Sequence, residues 1–138
     1  MRGRCYGGVI RVYNEMKSEY EYAVVKGRCT QKWSFPKGHG QKEEDPLVCA
    51  KREIYEETGI ELEREAIHRM QLKGGVYYVF ELEEKIELEP MDQLEIDDQR
   101  WVTVEEMSEL YGNSGIRSFV EKERRKETPK DPKDPQRT

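Results

Sequence analysis

Apolar, β-branched and aromatic side chains crowd two stretches near the start of the chain, Tyr6 to Tyr13 and Tyr20 to Lys26. Both are predicted strands, and the polar run Asn14 to Glu19 between them reads as a hairpin loop. A loop is predicted from Gly27 to Gln41, because Pro36, Gly38 and Gly40 interrupt regular structure within Trp33-Ser34-Phe35-Pro36-Lys37-Gly38-His39-Gly40. Asp45 before Pro46 is an acidic N-cap with proline at the first helical position, and Gly59 after Thr58 is a stop. These signals predict a helix from Pro46 to Thr58. Ala66 to Leu72 and Val76 to Leu82 flank Lys73-Gly74-Gly75 and read as a second hairpin, followed by a short strand from Gln99 to Thr103. Thr103 with Glu106 makes a capping box for a helix reaching Tyr111, and Ile116, Phe119 and Val120 share one side of a last helix from Ser114 to Lys126. Residues 1–126 are thus expected to form one domain. Residues 127–138 repeat Pro-Lys-Asp-Pro without an apolar anchor and are expected to be disordered.

Composition narrows the class. The 138 residues are 35% apolar and 38% charged, but eight Tyr, three Phe and two Trp supply the rigid bulk of a packed core. A formal charge of -5 disfavours sequence-blind binding to nucleic acid and suits an acidic site that needs cations. No run of eighteen apolar residues exists and the start of the chain leads into a strand pattern. A cytoplasmic or otherwise intracellular protein with no membrane partner is expected. Cys5, Cys29 and Cys49 lack the spacing of a disulfide framework or a zinc site, and each is expected to be a buried or half-buried small hydrophobe.

The chemistry concentrates in Arg52-Glu53-Ile54-Tyr55-Glu56-Glu57-Thr58-Gly59-Ile60. On a helix, Glu53, Glu56 and Glu57 stand at i, i+3 and i+4 on one face, while Leu47, Ala50 and Ile54 point to another. Like charges at that spacing destabilise a bare helix, so the cluster gains sense with Mg²⁺ or Mn²⁺ between the carboxylates. The three acids alone equally describe a solvated face of a Glu-rich protein. The longer pattern separates the two readings. Gly38, five residues, Glu44, seven residues, then Arg52-Glu53-Ile54-x-Glu56-Glu57-x-Gly59-Ile60 matches every defined position of the Nudix box. The chain therefore resembles the Nudix hydrolase family, which implies an α/β fold, the Nudix α/β/α sandwich with a mixed central sheet.

The resemblance also implies roles. Glu56 and Glu57 would ligate Mg²⁺, and Glu53 would be a further ligand or the base for the attacking water, so the catalytic set is expected to comprise Glu53, Glu57 and Arg52. Arg52 would hold a neighbouring carboxylate through charge-assisted hydrogen bonds, and Glu44 would support the ligands from behind or act as a distal one. Gly38 would let the Lys37-Gly38 turn bring a carbonyl close to the metal. Family members often recruit another acid from outside the box, and Glu95, in Glu95-Ile96-Asp97-Asp98-Gln99-Arg100-Trp101, is the expected fourth metal ligand. Residues 81–98 hold nine acids against Lys85 alone, so the same residue also fits a plain acidic loop.

Substrate choice lies outside the box. The block Trp33 to His39 resembles the segment before the box in diadenosine polyphosphate hydrolases, and its Trp-x-Phe-Pro-Lys-Gly also resembles mRNA decapping enzymes. A small nucleotide substrate is implied, best read as a dinucleoside polyphosphate such as diadenosine tetraphosphate. The alternatives are capped RNA, with release of methylated GDP, and a non-catalytic nucleotide-binding module. Lys37 and His39 would contact phosphates, Trp33 would join the substrate site, and Tyr78, Tyr77 or Phe80 could stack a base, although alternate positions on a strand fit the tyrosines better to the core. Gly40-Gln41-Lys42-Glu43-Glu44 keeps only the last acid of the Glu-Pro-Gly-Glu-like run usual in diadenosine polyphosphate hydrolases. ADP-ribose, nucleoside triphosphates and inositol pyrophosphates stay open as substrates, and the oligomeric state is not legible. The basic run Lys122, Arg124, Arg125 and Lys126 reads as a solvated helix end that could also touch RNA phosphates.

Overall fold

The computed structural model describes residues 4–127. Ten elements follow in order: β1 (Cys5–Asn14), β2 (Glu19–Gly27), β3 (Trp33–Ser34), β4 (Lys37–His39), α1 (Pro46–Thr58), β5 (His68–Leu72), β6 (Gly75–Leu82), β7 (Ile96–Val102), α2 (Val104–Ser108) and α3 (Ser114–Glu127). The segment expected to be disordered lies outside the described residues, except Glu127, which closes α3. All seven strands join one mixed sheet in the order β3-β2-β1-β6-β5, with β4 paired to β1 and β7 to β2. Both predicted hairpins form, β1 with β2 and β5 with β6, whereas β1 and β6 run parallel, joined through α1.

Alternation along the strands divides the core between the two faces of the sheet. Val9, Val24, Tyr77 and Val79 point to one side, where they meet Phe35, Met107, Ile116 and Phe119. Their neighbours Ile10, Ala23 and Phe80 point to the other and meet Ile54 of α1 together with Ile60 and Leu62. The result is the expected α/β/α sandwich. Both faces are dry, so burial of apolar side chains at roughly 25 cal/mol per Å² supplies the main stabilising term on each.

Two short strands replace part of the predicted loop. Gly38 pairs with Tyr6 and Lys37 with Gly7, so the segment with Pro36, Gly38 and Gly40 is partly edge sheet. Proline costs nothing there because Pro36 precedes the strand, and its carbonyl accepts from the Gly8 N–H at 3.1 Å. Cys5 and Cys49 are buried as expected, but Cys29 is exposed in the loop after β2. Among the described residues no helix is long and apolar enough to cross a membrane.

Candidate active site

α1 is fixed at both ends by its own sequence. Asp45 accepts hydrogen bonds from the N–H groups of Leu47 and Val48, and Gly59 adopts a left-handed φ of 80° while its N–H reaches the Tyr55 carbonyl. With Ile54 anchored in the core, Glu53 and Glu57 turn toward β4 and are buried to 9% and 7% exposure. The fit is tight. A Cβ on residue 38 would stand 2.1–2.3 Å from the Glu53 carboxyl atoms, so only glycine allows the helix to approach this strand. The Lys37 backbone N–H donates to Glu57 Oε1 at 3.1 Å.

Arg52 organises the opposite side. Its Nε and Nη2 clasp both oxygens of Glu44 at 2.7 and 2.8 Å, while Nη1 donates to Glu53 Oε2 at 3.0 Å and to the Glu56 carboxylate at 3.2 and 3.3 Å. Nη2 also reaches the His39 carbonyl at 3.3 Å. Fork-shaped donors suit this task, since a lysine has only three donors on one nitrogen and could not clasp Glu44 bidentately while also reaching Glu53 and Glu56. The bonds from Arg52 hold Glu44 at a pKa of about 2.

The two buried acids are held the other way. Burial pushes Glu57 up to about 8; the Lys37 N–H and ammonium pull it down, and the like charges of Glu53 and Glu95 push it further up. Burial likewise raises Glu53, with Glu56 adding and Arg52 opposing. Among the described residues no three Asp, Glu, His or Cys side chains converge as a preformed metal cage, since Arg52 engages Glu53 and Glu56 while Glu57 rests on Lys37. Donor chemistry nevertheless suits a hard divalent cation: buried and half-buried carboxylate oxygens crowded on one side of α1.

Beside Glu57 opens a cavity of about 450 Å³. Lys37, Lys32 and Arg28 supply positive charge to its lining, Glu57 and Glu95 negative charge, and Ser34 and Asn113 neutral hydrogen-bonding groups. Glu95, chosen from sequence alone, is thus brought to Glu57. Glu56 lines a separate hollow with Met91 to Leu94. His39 is exposed at the end of β4, away from this lining. Trp33 is 5% exposed, its ring covered by Arg100 at 4.8 Å and Lys26 at 5.9 Å, and Tyr78 packs toward the α1 side of the core. Tyr77 and Phe80 are core residues, as alternate positions on an inner strand require. Arg28, Lys32 and Asn113 escaped the sequence reading, because single polar residues in loops carry no periodic signal.

The geometry agrees with comparison to known proteins. The NUDIX domain family model matches residues 8–122. The chain belongs to the Nudix family. Among curated relatives of this Nudix protein, the m7GpppN-mRNA hydrolase of Saccharomyces cerevisiae (strain ATCC 204508 / S288c) is 28% identical over 117 residues, covering 79% of this chain and 12% of the relative. The mRNA-decapping enzyme subunit 2 of Arabidopsis thaliana is 28% identical over 111 residues, covering 70% and 30%. The chain spans less than half the length of the curated relatives it matches. In structure, the Nudix chain superposes on an Ap4A hydrolase binary complex from C. elegans with a TM-score of 0.71 at 21% identity, covering 89% of this chain and 96% of that one. Nudix hydrolases act on pyrophosphate bonds and generally use divalent metal ions.

Proposed function

We propose that this Nudix chain is a Mg²⁺-dependent pyrophosphohydrolase that cleaves a phosphoanhydride bond in nucleoside diphosphate-linked compounds, dinucleoside polyphosphates such as diadenosine tetraphosphate first among them. The observation that carries the reading is the cavity in which Glu57 and Glu95 face Lys37, Lys32 and Arg28. A polyphosphate chain needs both halves of that lining. Cations on the protein hold the phosphates away from the scissile bond, and the carboxylates would hold the divalent ions that neutralise the phosphates at it. Glu53, Glu56 and Glu57, with Glu95 from the facing loop, would hold Mg²⁺ or Mn²⁺, whose chemistry there is charge neutralisation and a lowered pKa for bound water.

The other roles belong to the chain's own groups. Arg52 orients Glu53 and Glu56 and is itself anchored by Glu44, so the orientation of both acids depends on one planar side chain. Glu53, or Glu57 with its proton affinity raised by burial, would take the proton from the attacking water as general base. The Lys37 ammonium meets substrate phosphate, and the Lys37 N–H keeps Glu57 turned inward. Gly38 admits this arrangement.

Capped RNA is the second reading, favoured by the decapping enzymes among the relatives. On α3, Arg125 pairs with Glu121 and Lys126 with Glu123, and Arg124 reaches Glu105 of α2, so three of the four basic residues of the run are answered within the protein. That balance favours the small nucleotide. Incubating the purified chain and Mg²⁺ with diadenosine tetraphosphate, and separately with capped RNA, decides between them by chromatography. Release of mononucleotides from the first supports the proposal. Release of methylated GDP from the second, with the first untouched, transfers it to RNA.

A further inference from the structure

Glu95 poses a mechanical problem. Its carboxylate stands across the cavity from Glu57, within electrostatic reach of both Glu53 and Glu57, and has no hydrogen-bond or ion-pair partner among the described residues. Its place must therefore be set through its backbone. Two anchors hold that backbone. On the α1 side, the Met91 and Asp92 N–H groups donate to the Glu56 carbonyl, and Asp92 Oδ1 accepts from the N–H groups of Leu94 and Glu95. On the β2 side Arg28 makes most of the contacts to residues 93–97. Its N–H donates to the Glu95 carbonyl at 2.7 Å, and its guanidinium reaches the Gln93 carbonyl at 3.0 Å, the Ile96 carbonyl at 3.3 Å and Asp97 Oδ1 at 3.0 Å.

The sheet is irregular at the same point. Lys26 pairs with Asp98 but Gly27 pairs with Ile96, which leaves Asp97 as the extra residue of a β-bulge. Bulges re-aim the side chains beside them. This one lies two residues from Glu95 and is pinned by its own side chain, since Asp97 also accepts from Gln31 Nε2 at 3.2 Å and faces Lys26 Nζ at 3.7 Å. Gln31 is in turn tied to the Gly27 and Arg28 carbonyls.

We propose that Arg28 and Asp97 are positioning residues, a cross-loop clamp on the bulge that holds Glu95 facing Glu57. The proposal rests on the role given to Glu95 above. Losing either side chain loosens only one end of the loop, because the bonds to Glu56, the Arg28 N–H bond to the Glu95 carbonyl and the Gly27–Ile96 pairing remain.

The test measures Mn²⁺ affinity of the full chain by electron paramagnetic resonance, with kcat and KM for diadenosine tetraphosphate and a thermal melt as companions. Arg28→Ala and Asp97→Ala are each expected to weaken Mn²⁺ binding and lower kcat about tenfold, as loss of support for a metal ligand does. Arg28→Lys should fall between, keeping charge but not the several donors. In a Glu95→Gln background neither substitution should weaken Mn²⁺ binding further. Asp97 does not line the cavity, so its variant separates positioning from substrate contact. A loss of Mn²⁺ affinity that adds in full to Glu95→Gln, or a rise in KM alone for Asp97→Ala, overturns the clamp. If Glu95→Gln weakens Mn²⁺ binding while Arg28→Ala and Asp97→Ala do not, the clamp fails and the role of Glu95 stands. If Glu95→Gln itself leaves Mn²⁺ affinity and turnover at the wild-type level, the role of Glu95 fails and the clamp has nothing to position. The Mn²⁺ measurement gives these answers whichever substrate the enzyme prefers.

Discussion

At the scale of single residues, the site stores unfavourable electrostatics that a divalent cation would relieve. Glu56→Gln and Glu57→Gln are each expected to lower kcat at least about a hundredfold with the fold intact, checked by turnover alongside circular dichroism. Glu57 allows a second check that needs no substrate. Its folded pKa of about 8 lies above its ordinary value of 4.5, so between these limits the folded chain keeps a proton that the unfolded chain releases. The contribution of this group to stability is therefore whole below about pH 4.5 and is lost as pH rises through 8. In EDTA the melting temperature should fall from pH 5 to pH 8, and Glu57→Gln should flatten that slope. Excess Mg²⁺ should oppose the decline, because the ligand form is the carboxylate and binding releases the proton. Equal slopes for wild type and Glu57→Gln in EDTA would contradict the burial argument.

At the scale of elements, α1 carries the site and its ends carry α1. Asp45→Ala removes two bonds to the first turn and should cost about 1 kcal/mol, or about 4 °C in melting temperature, with kcat little changed. Gly38→Ala should do the reverse. Its Cβ would fall on the Glu53 carboxylate, so Glu53 must leave its place, and turnover should drop at least about tenfold at modest cost in melting temperature. Steady-state kinetics with calorimetric melts on both variants distinguishes the two patterns. Elements with local signals were legible in the sequence. Pro46–Thr58 follows from its cap, proline and terminal glycine, and α2 from the Thr103 and Glu106 capping box, which forms with both bonds present. β3 and β4 were not legible, since strands of two and three residues are too short for a period of two to declare itself. Glu95 was legible only as an acid at a suitable place in the chain. The bonds that seat it cross from Arg28 to residues 93–97, and no local pattern announces a contact at that separation.

At the scale of the whole molecule, the parallel pairing of β1 with β6 sets two different ends to the sheet. One end holds Gly38, Glu53 and Glu57; at the other, where β1 turns into β2, Glu21 is buried to 3% exposure. Burial alone would raise the Glu21 pKa, but hydrogen bonds from Lys85 at 2.8 Å, Lys17 at 3.0 Å and Asn14 at 3.2 Å outweigh it and bring the value to about 2. A depressed folded pKa gives stability that is present above the ordinary value of 4.5 and lost as pH falls toward 2. Glu21→Gln should therefore destabilise the chain at pH 7 by about 1.5–3 kcal/mol, the range for a hydrogen bond to a charged group. The gap to wild type should close as pH drops to about 2. Glu21 lines a different cavity from Glu57, so kcat at neutral pH should stay within about twofold of wild type for any unfolding cost the chain survives. Urea midpoints at pH 7 and pH 3 decide the matter. A gap that is the same at both pH values would mean that Glu21 stabilises by packing, and the acid-sensitive brace at this end of the sheet would have to be abandoned.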